Sequence, residues 1–381
     1  MLRIAIVAAE PSGDQLGGHL IRALKQHQQN ISFEGIGGDK MIGEGFSSWY
    51  PMEKLSVMGL VEVLKHLPEL LGIRRDLTRR LIDNPPDLFI GIDAPDFNLG
   101  LEKKLKSAGI PTVHYVSPTI WAWREKRVKT LRKATDLVLS IFPFEVPLLK
   151  KHGVTAVYAG HPLAEDMKNI PGKTASREML NMPSTRPVMG ILPGSRMSEV
   201  KQLTDDFLET ALLVSKRNNE VIFSIPVATD AIEAYILSRI SSRYRDLDIR
   251  LFKDHSRTVM AAADVLLMAS GTASLEAALY KKPMVIGYRV HWLTHFILIK
   301  LGLVKTRFFA MPNILADSMI VPEHLQESCR PEVLAKSVLA FFTKKQYRQQ
   351  TIDALGEVKA SLSDGSVEQA AQVMMDMVKK Q

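Results

Sequence analysis

A single cysteine, Cys329, is all that the 381 residues contain. No disulfide can close within the chain and no zinc site can be built on thiolates, so a reducing compartment fits. Aromatic residues are few, at 7%. They are not interleaved with the basic residues along a strand face, which argues against nucleic acid as a partner. No stretch reaches the roughly 18 uncharged apolar residues that a membrane-spanning helix needs. There is no repeat of fixed period and no low-complexity segment. No Asp-x-Asp pair stands beside an expected strand; Asp93 and Asp96 are three apart and split by Pro95. No metal and no cofactor are therefore expected. The opening run, Met1 to Ala9, is short and closely followed by Glu10. It reads as a first strand rather than a secretory signal.

What the chain does have is bulk, apolar content and positive charge. Its length suits two domains of ordinary size, and 46% hydrophobic residues can fill their cores. The 49 basic residues outnumber the 41 acidic ones, for a net charge of +8. That excess suits phosphates or an anionic membrane surface, and equally an ordinary solvated surface.

Apolar runs alternate with helical stretches along most of the chain, the pattern of a parallel α/β protein. One stretch organises it. Ala263 to Met268 reads as a buried strand and Ala277 to Tyr280 as helix, with Ser270, Gly271 and Thr272 at the turn. Glycine there allows close backbone approach, and the unpaired N–H groups of a first helical turn attract phosphate. Glu276 lies about a turn further on, where a carboxylate can reach a ribose hydroxyl. Met284 to Tyr288 is the next strand.

In the front half, Ile4 to Ala9 is a strand, Glu10 to Asp14 a turn and Gln15 to Gln26 a helix. Ser12 and Asp14 either serve a bound substrate or cap that helix. In Met58 to Arg80 the apolar residues from Leu60 to Ile73 cover more than one helical face, and Arg74, Arg75, Arg79 and Arg80 follow. This suits a helix lying in a membrane interface; a wedged helix with solvated arginines is the alternative. Asp87 to Ile92 is a parallel strand with Asp93 at its carboxyl end, where open α/β sheets bind ligands. Asp93 is the candidate general base, and Asp96 the cap of a helix from Leu99 to Ala108. Pro111 to Val116 and Asp136 to Phe142 are further strands. Between them, Trp121 and Trp123 occupy a loop, which is costly unless they wall a pocket or seal a core. His161 follows a strand and is either structural or in reach of a phosphate or an acceptor.

Met167 to Arg186 reads as a linker with a short helix. Val188 to Leu192 restarts the alternation. Gly194 and Ser195 open the next helix, and Arg196 can clamp a diphosphate bidentately. Glu220 to Val227 and Ile249 to Phe252 are strands. Residues 292–309 are again apolar, aromatic and basic together, and with 58–73 they are the candidates for lipid contact. Asn313 lies in the loop that follows. Helices near 331–342, 345–360 and 366–380 finish the chain.

These runs together resemble the lipid-A-disaccharide synthase family, inverting glycosyltransferases of the two-Rossmann-lobe (GT-B) type. The carriers are Glu10-Pro-Ser-Gly-Asp14, Val57-Met-Gly59 with Glu62-Val63, Gly91 to Asn98, His114 to Pro118 with Trp121 to Arg124, Leu139 to Glu145, and Gly160-His-Pro162. They continue with Leu192 to Arg196 and Glu199-Val200, Ala269 to Ala273 with Leu275-Glu276, Pro283-Met-Val with Gly287-Tyr-Arg289, and Pro312-Asn313 with Leu315. The resemblance spans essentially the whole length.

It implies an α/β fold of two Rossmann-like lobes with a cleft between them. The expected divisions are an acceptor and membrane lobe at 1–170, a UDP-sugar lobe at 171–345, and helices at 346–381 that pack back on the first lobe. The implied reaction joins UDP-2,3-diacylglucosamine to 2,3-diacylglucosamine 1-phosphate, releasing UDP. Asp93 becomes the base. Gly194, Ser195, Arg196, Ser270, Gly271, Thr272, Glu276 and Asn313 become the UDP site. Ser12, Asp14, His161 and Trp123 become acceptor-side or supporting residues. The implied setting is the cytoplasmic face of the inner membrane, peripherally bound, with a second copy of the chain as a candidate partner.

Overall fold

A computed structural model of the chain describes residues 1–55, 60–118, 125–163, 171–240, 242–289 and 307–379, without the side chains of 60–65 and 125–127. The chain divides into two compact units, Met1–Pro162 with Leu362–Gln381, and Leu163–Ser361.

The first unit is a seven-stranded sheet: β1 (Leu2–Ala8), β2 (Ile31–Ile36), β3 (Phe46–Ser48), β4 (Leu88–Ile92), β5 (Thr112–Tyr115), β6 (Leu137–Ser140) and β7 (Ala156–Tyr158). The order is β3-β2-β1-β4-β5-β6-β7 and every pairing is parallel. Its helices are α1 (Pro11–His27), α2 (Asp39–Gly43), α3 (Leu60–Asp83), α4 (Pro95–Ser107), α5 (Glu125–Ala134), α6 (Glu145–Lys151) and the C-terminal helix, Val367–Lys379. Strand β1 is buried from Ile4 to Ala8 because both faces of the sheet are covered. Side chains alternate along a strand, so Ile4, Ile6 and Ala8 meet α1 and the C-terminal helix, while Ala5 and Val7 meet α3 and α4. Strand order reverses between β1 and β4, which makes their carboxyl ends the switch point where such sheets take ligands.

Several local expectations change. Helix α1 begins at Pro11, four residues before the expected start, with Glu10 at the N-cap and no side-chain cap. Proline suits that first position because its missing N–H would be unpaired there anyway. Neither Ser12 nor Asp14 therefore caps α1. Asp96 does not cap α4 either: that helix starts at Pro95, its N-cap is Ala94, and Asp96 falls in the first turn. In α3, Ile73, Leu77 and Leu81 are core residues. Arg79 and Arg80 pair with Asp76, and the Arg80 guanidinium also lies over the rings of Trp49 and Tyr50. Arg74 packs against Gly100 of α4. Most of that arginine cluster thus serves the fold. Leu67 and Ile82, at 40% and 44% exposure, are the large apolar residues of this helix that stay open to solvent among those described. Residues 56–59, Trp121, Trp123 and 290–306 lie outside the described residues, so the expectations placed on them do too.

The second unit repeats the plan with six parallel strands: β8 (Val188–Leu192), β9 (Ile222–Val227), β10 (Asp248–Lys253), β11 (Val265–Ala269), β12 (Met284–Tyr288) and β13 (Glu323–Leu325), in the order β10-β9-β8-β11-β12-β13. Around it lie α7 (Lys173–Met179), α8 (Met197–Ser215), α9 (Asp230–Arg239), α10 (Ser256–Ala262), α11 (Thr272–Leu279), α12 (Met311–Ala316), α13 (Pro331–Thr343) and α14 (Lys345–Ser363). Its switch point is β8 and β11. Of the last helices, α14 belongs here, with Leu355 buried among Ala277, Ala278 and Met284. Only the C-terminal helix returns to the first unit, through Ala370, Ala371, Met374 and Met375.

Candidate active-site residues

In the first unit, Asp93 ends β4 at the switch point. Its backbone is left-handed (φ 51°), as is that of Ala94 (φ 42°). Non-glycine residues there cost about 1–3 kcal/mol each and persist where the surroundings over-determine them. The surroundings do so. Asp93 N–H donates to Tyr115 O of β5 at 2.8 Å, and the buried Asn98 amide donates to the carbonyls of Asp93 (2.9 Å), Ile92 (3.3 Å) and Val7 (3.3 Å). Asn98 thereby ties the ends of β1 and β4 together. The Asp93 side chain is half-buried at this corner, and Ser12 is exposed in the first turn of α1, after the neighbouring strand. The sheet brings these two to one end.

Asp14 plays another part. It is 4% exposed, and its carboxylate accepts from the N–H groups of Gly38 (2.9 Å), Lys40 (2.9 Å) and Met41 (3.0 Å). Those donors open α2, so Asp14 caps that helix from a distance and is not presented to a substrate. His161 lies at the far side of the sheet, after β7. Its ring stands 5.0 Å from that of Phe142, and burial pushes its pKa down to about 4. It is neutral near pH 7 and brings no positive charge to a phosphate.

In the second unit, the turn after β8 holds Gly194 at φ 135°, where a Cβ would lie 2.6 Å from Glu199 Oε2. Only glycine fits that conformation and that space. Ser195 and Arg196 are exposed, with Arg196 at the N-cap of α8. Among the described residues the Arg196 guanidinium has no hydrogen-bond or ion-pair partner. After β11 comes the second turn. Gly271 is open, with nothing within 4 Å of an added Cβ. Thr272 begins α11, whose first N–H groups lack intrahelical partners. Both turns therefore offer donors to an anion at the carboxyl ends of adjacent strands.

Two partnerships were not visible in the sequence. Glu276 Oε1 accepts from Arg257 Nε (3.2 Å) and Nη2 (3.0 Å). Asn313 is fully buried and its amide is saturated: Nδ2 donates to Val321 O and Glu323 Oε1, and Oδ1 accepts from the N–H groups of Ile320 and Val321. An amide has no further strong hydrogen-bond capacity, so the expected contact of this side chain with nucleotide gives way to fastening a loop. Glu323 completes the fastening by accepting from the N–H groups of Phe309 and Ala310, and Phe309 O in turn accepts from Ser270 Oγ at 2.9 Å. Glu323 carried no recognisable signal in sequence, because it lies 53 positions beyond Ser270. Among the described residues no cluster of His, Cys, Asp and Glu is arranged to hold a metal ion.

Two doubly wound units in one chain, with phosphate-suited turns in the second and a half-buried carboxylate at the switch point of the first, define the GT-B class of α/β proteins. Solved structures agree in fold. A UDP-GlcNAc 2-epimerase from Neisseria meningitidis bound to UDP-GlcNAc aligns with a TM-score of 0.62 at 12% identity over 100% of both chains. The glycotransferase of kitacinnamycin aligns at 0.61 and 14% identity over 98% of each. The sequence profile described as Lipid-A-disaccharide synthetase matches residues 4–377. Lipid-A-disaccharide synthase of Dechloromonas aromatica (strain RCB) is 44% identical over 377 residues, 98% of each chain. That of Pseudomonas paraeruginosa (strain DSM 24068 / PA7) is 45% identical over 379 residues, 100% of this chain and 99% of the other. The chain belongs to the lipid-A-disaccharide synthase family.

Proposed function

We propose that the protein transfers the sugar of UDP-2,3-diacylglucosamine to the 6-hydroxyl of 2,3-diacylglucosamine 1-phosphate, giving the β(1→6)-linked disaccharide 1-phosphate and UDP. The observation that carries this reading is the family match over residues 4–377. In the transfer, Asp93 takes the proton of the acceptor hydroxyl as its oxygen bonds to the anomeric carbon. The bond from that carbon to the diphosphate breaks in the same in-line step, inverting the centre. Arg196 and the N–H groups at Ser195 and Ser270 to Thr272 hold the departing diphosphate, and Glu276 holds the ribose. Such donors at a leaving group are worth roughly 10²–10³ in rate each.

Both substrates carry acyl chains, which supports peripheral work at a membrane, read here as the cytoplasmic face of the inner membrane. No helix among the described residues is long and apolar enough to cross a membrane. A net charge of +8 and the open Leu67 support peripheral attachment to an anionic surface. Mass-spectrometric analysis of the product formed from both lipids tests the reaction. A tetraacyl disaccharide 1-phosphate with stoichiometric UDP is expected. Turnover of UDP-GlcNAc alone, without acceptor, would replace transfer by epimerisation.

A further inference from the structure

Beneath the corner that carries Asp93 lies a carboxylate–imidazole pair with no part in the transfer as written. Glu102 Oε1 stands 2.7 Å from His114 Nδ1, and both side chains have 0% exposure. Glu102 projects from α4 a turn after Asn98, and His114 from β5 directly beside Gly91 of β4. A Cβ at Gly91 would collide with Glu102 Oε1 and come within 3.0 Å of Asn98, so the missing side chain makes room for the pair. Burial pushes the Glu102 carboxyl above its usual range, with His114 opposing. Glu102 Oε2 and His114 Nε2 are enclosed without a hydrogen-bond partner among the described residues. Apolar residues of the same shape would be cheaper to bury there, so stability alone is a poor reason for the pair.

What the pair joins supplies a better one. Helix α4 carries Asn98, which holds Asp93 O, and β5 carries Tyr115, next to His114, which holds Asp93 N–H. Glu102 and His114 cross-brace the two elements that fix the Asp93 peptide on either side. A lateral slip between them would release the left-handed corner at Asp93 and Ala94. We propose that Glu102 and His114 are positioning residues for Asp93, setting the aim of its carboxylate at the acceptor hydroxyl. This rests on the reading of Asp93 as the base.

The test compares Glu102→Leu, Glu102→Gln, Asp93→Asn and the double variant D93N/E102L. For each, kcat and KM are measured with both lipid substrates, and UDP affinity by calorimetry. Glu102→Leu should lower kcat about 10- to 100-fold, the scale of a misplaced reacting group, with KM and UDP affinity unchanged. Glu102→Gln keeps an oxygen for the imidazole N–H and should recover most of the loss. In the Asp93→Asn background Glu102→Leu should cost nothing further, because coupled residues are not additive. A kcat within twofold of the parent in Glu102→Leu overturns the proposal, as does an equal loss in the Asp93→Asn background. Should Glu102→Leu not fold, His114→Phe, which keeps a ring and removes Nδ1, is held to the same outcomes. Full turnover in Asp93→Asn alone rejects the base assignment and the brace with it. An inactive Asp93→Asn beside an active Glu102→Leu rejects the brace alone.

Discussion

Arg257 places two donors, Nε and Nη2, on a single oxygen of Glu276, at 3.2 and 3.0 Å. The residues are 19 apart in sequence, on α10 and α11, and the pairing fixes one carboxylate oxygen while Oε2 carries no hydrogen bond to Arg257. If Glu276 holds the ribose, Arg257 sets the carboxylate for it. Arg257→Ala should weaken UDP binding about 3- to 5-fold, in keeping with the modest worth of a partly exposed ion pair. Binding of 2′-deoxy-UDP, already lacking a hydroxyl, should change less. Calorimetry with both nucleotides reads the difference, and equal losses would separate Arg257 from ribose recognition.

Asp93→Asn removes the proton acceptor and leaves the corner's hydrogen bonds in place. Turnover should fall by roughly 10²–10⁴, the usual contribution of a general base, while UDP still binds normally to the second unit. Single-turnover assays with both lipids check the first point and calorimetry the second.

Arg196→Ala removes an exposed guanidinium that is unpaired among the described residues. A hydrogen bond to a charged group is worth about 1.5–3 kcal/mol, so UDP affinity should drop on the order of 10- to 100-fold, with slower transfer. Arg196→Lys should recover charge without the bidentate fork, and so only part of the affinity. Unchanged affinity in Arg196→Ala would put the diphosphate clamp elsewhere.

Asn313→Ala should act on stability first. It strands the N–H groups of Ile320 and Val321 and takes a donor from Glu323. Buried groups left unpaired cost about 1–3 kcal/mol each, so a loss of about 2 kcal/mol or more is expected in urea unfolding. UDP affinity should fall only as far as the 309–310 segment loosens from Ser270. A large loss of affinity at unchanged stability would restore a direct contact.

His161 sets a pH window. Its folded pKa is about 4 against an unfolded value near 6.5, because burial disfavours the cation. Above pH 6.5 it is neutral in both states and contributes no pH dependence. Between 6.5 and 4 the unfolded chain takes up a proton that the folded one refuses, so stability falls as pH falls. The full loss amounts to about 3 kcal/mol. Urea unfolding at pH 7 and pH 4.5 should show it, and His161→Leu should reduce the difference.

The sequence by itself determined the strands and most helices, because an apolar run or a 3.6-residue period is a local property. It also determined where Asp93, Arg196 and Gly271 stand, since a strand end followed by a turn residue fixes them whatever lies alongside. Strands β3 and β13, each three residues long, escaped it, as did helices α2, α6 and α9, and α12 stands where a loop was expected. Other assignments belonged to the tertiary structure alone. Asp14 finds its donors 24 to 27 residues away, Asn313 finds Glu323, Glu276 finds Arg257, and Glu102 finds His114 across α4 and β5. Each depends on which elements end up adjacent. A polar side chain carries no mark of whether its partner will be a ligand or another part of the chain. That is why the partners of Asp14, Asn313 and Glu276 could not be read from the sequence, while the apolar pattern that built the sheets was read nearly as it stands.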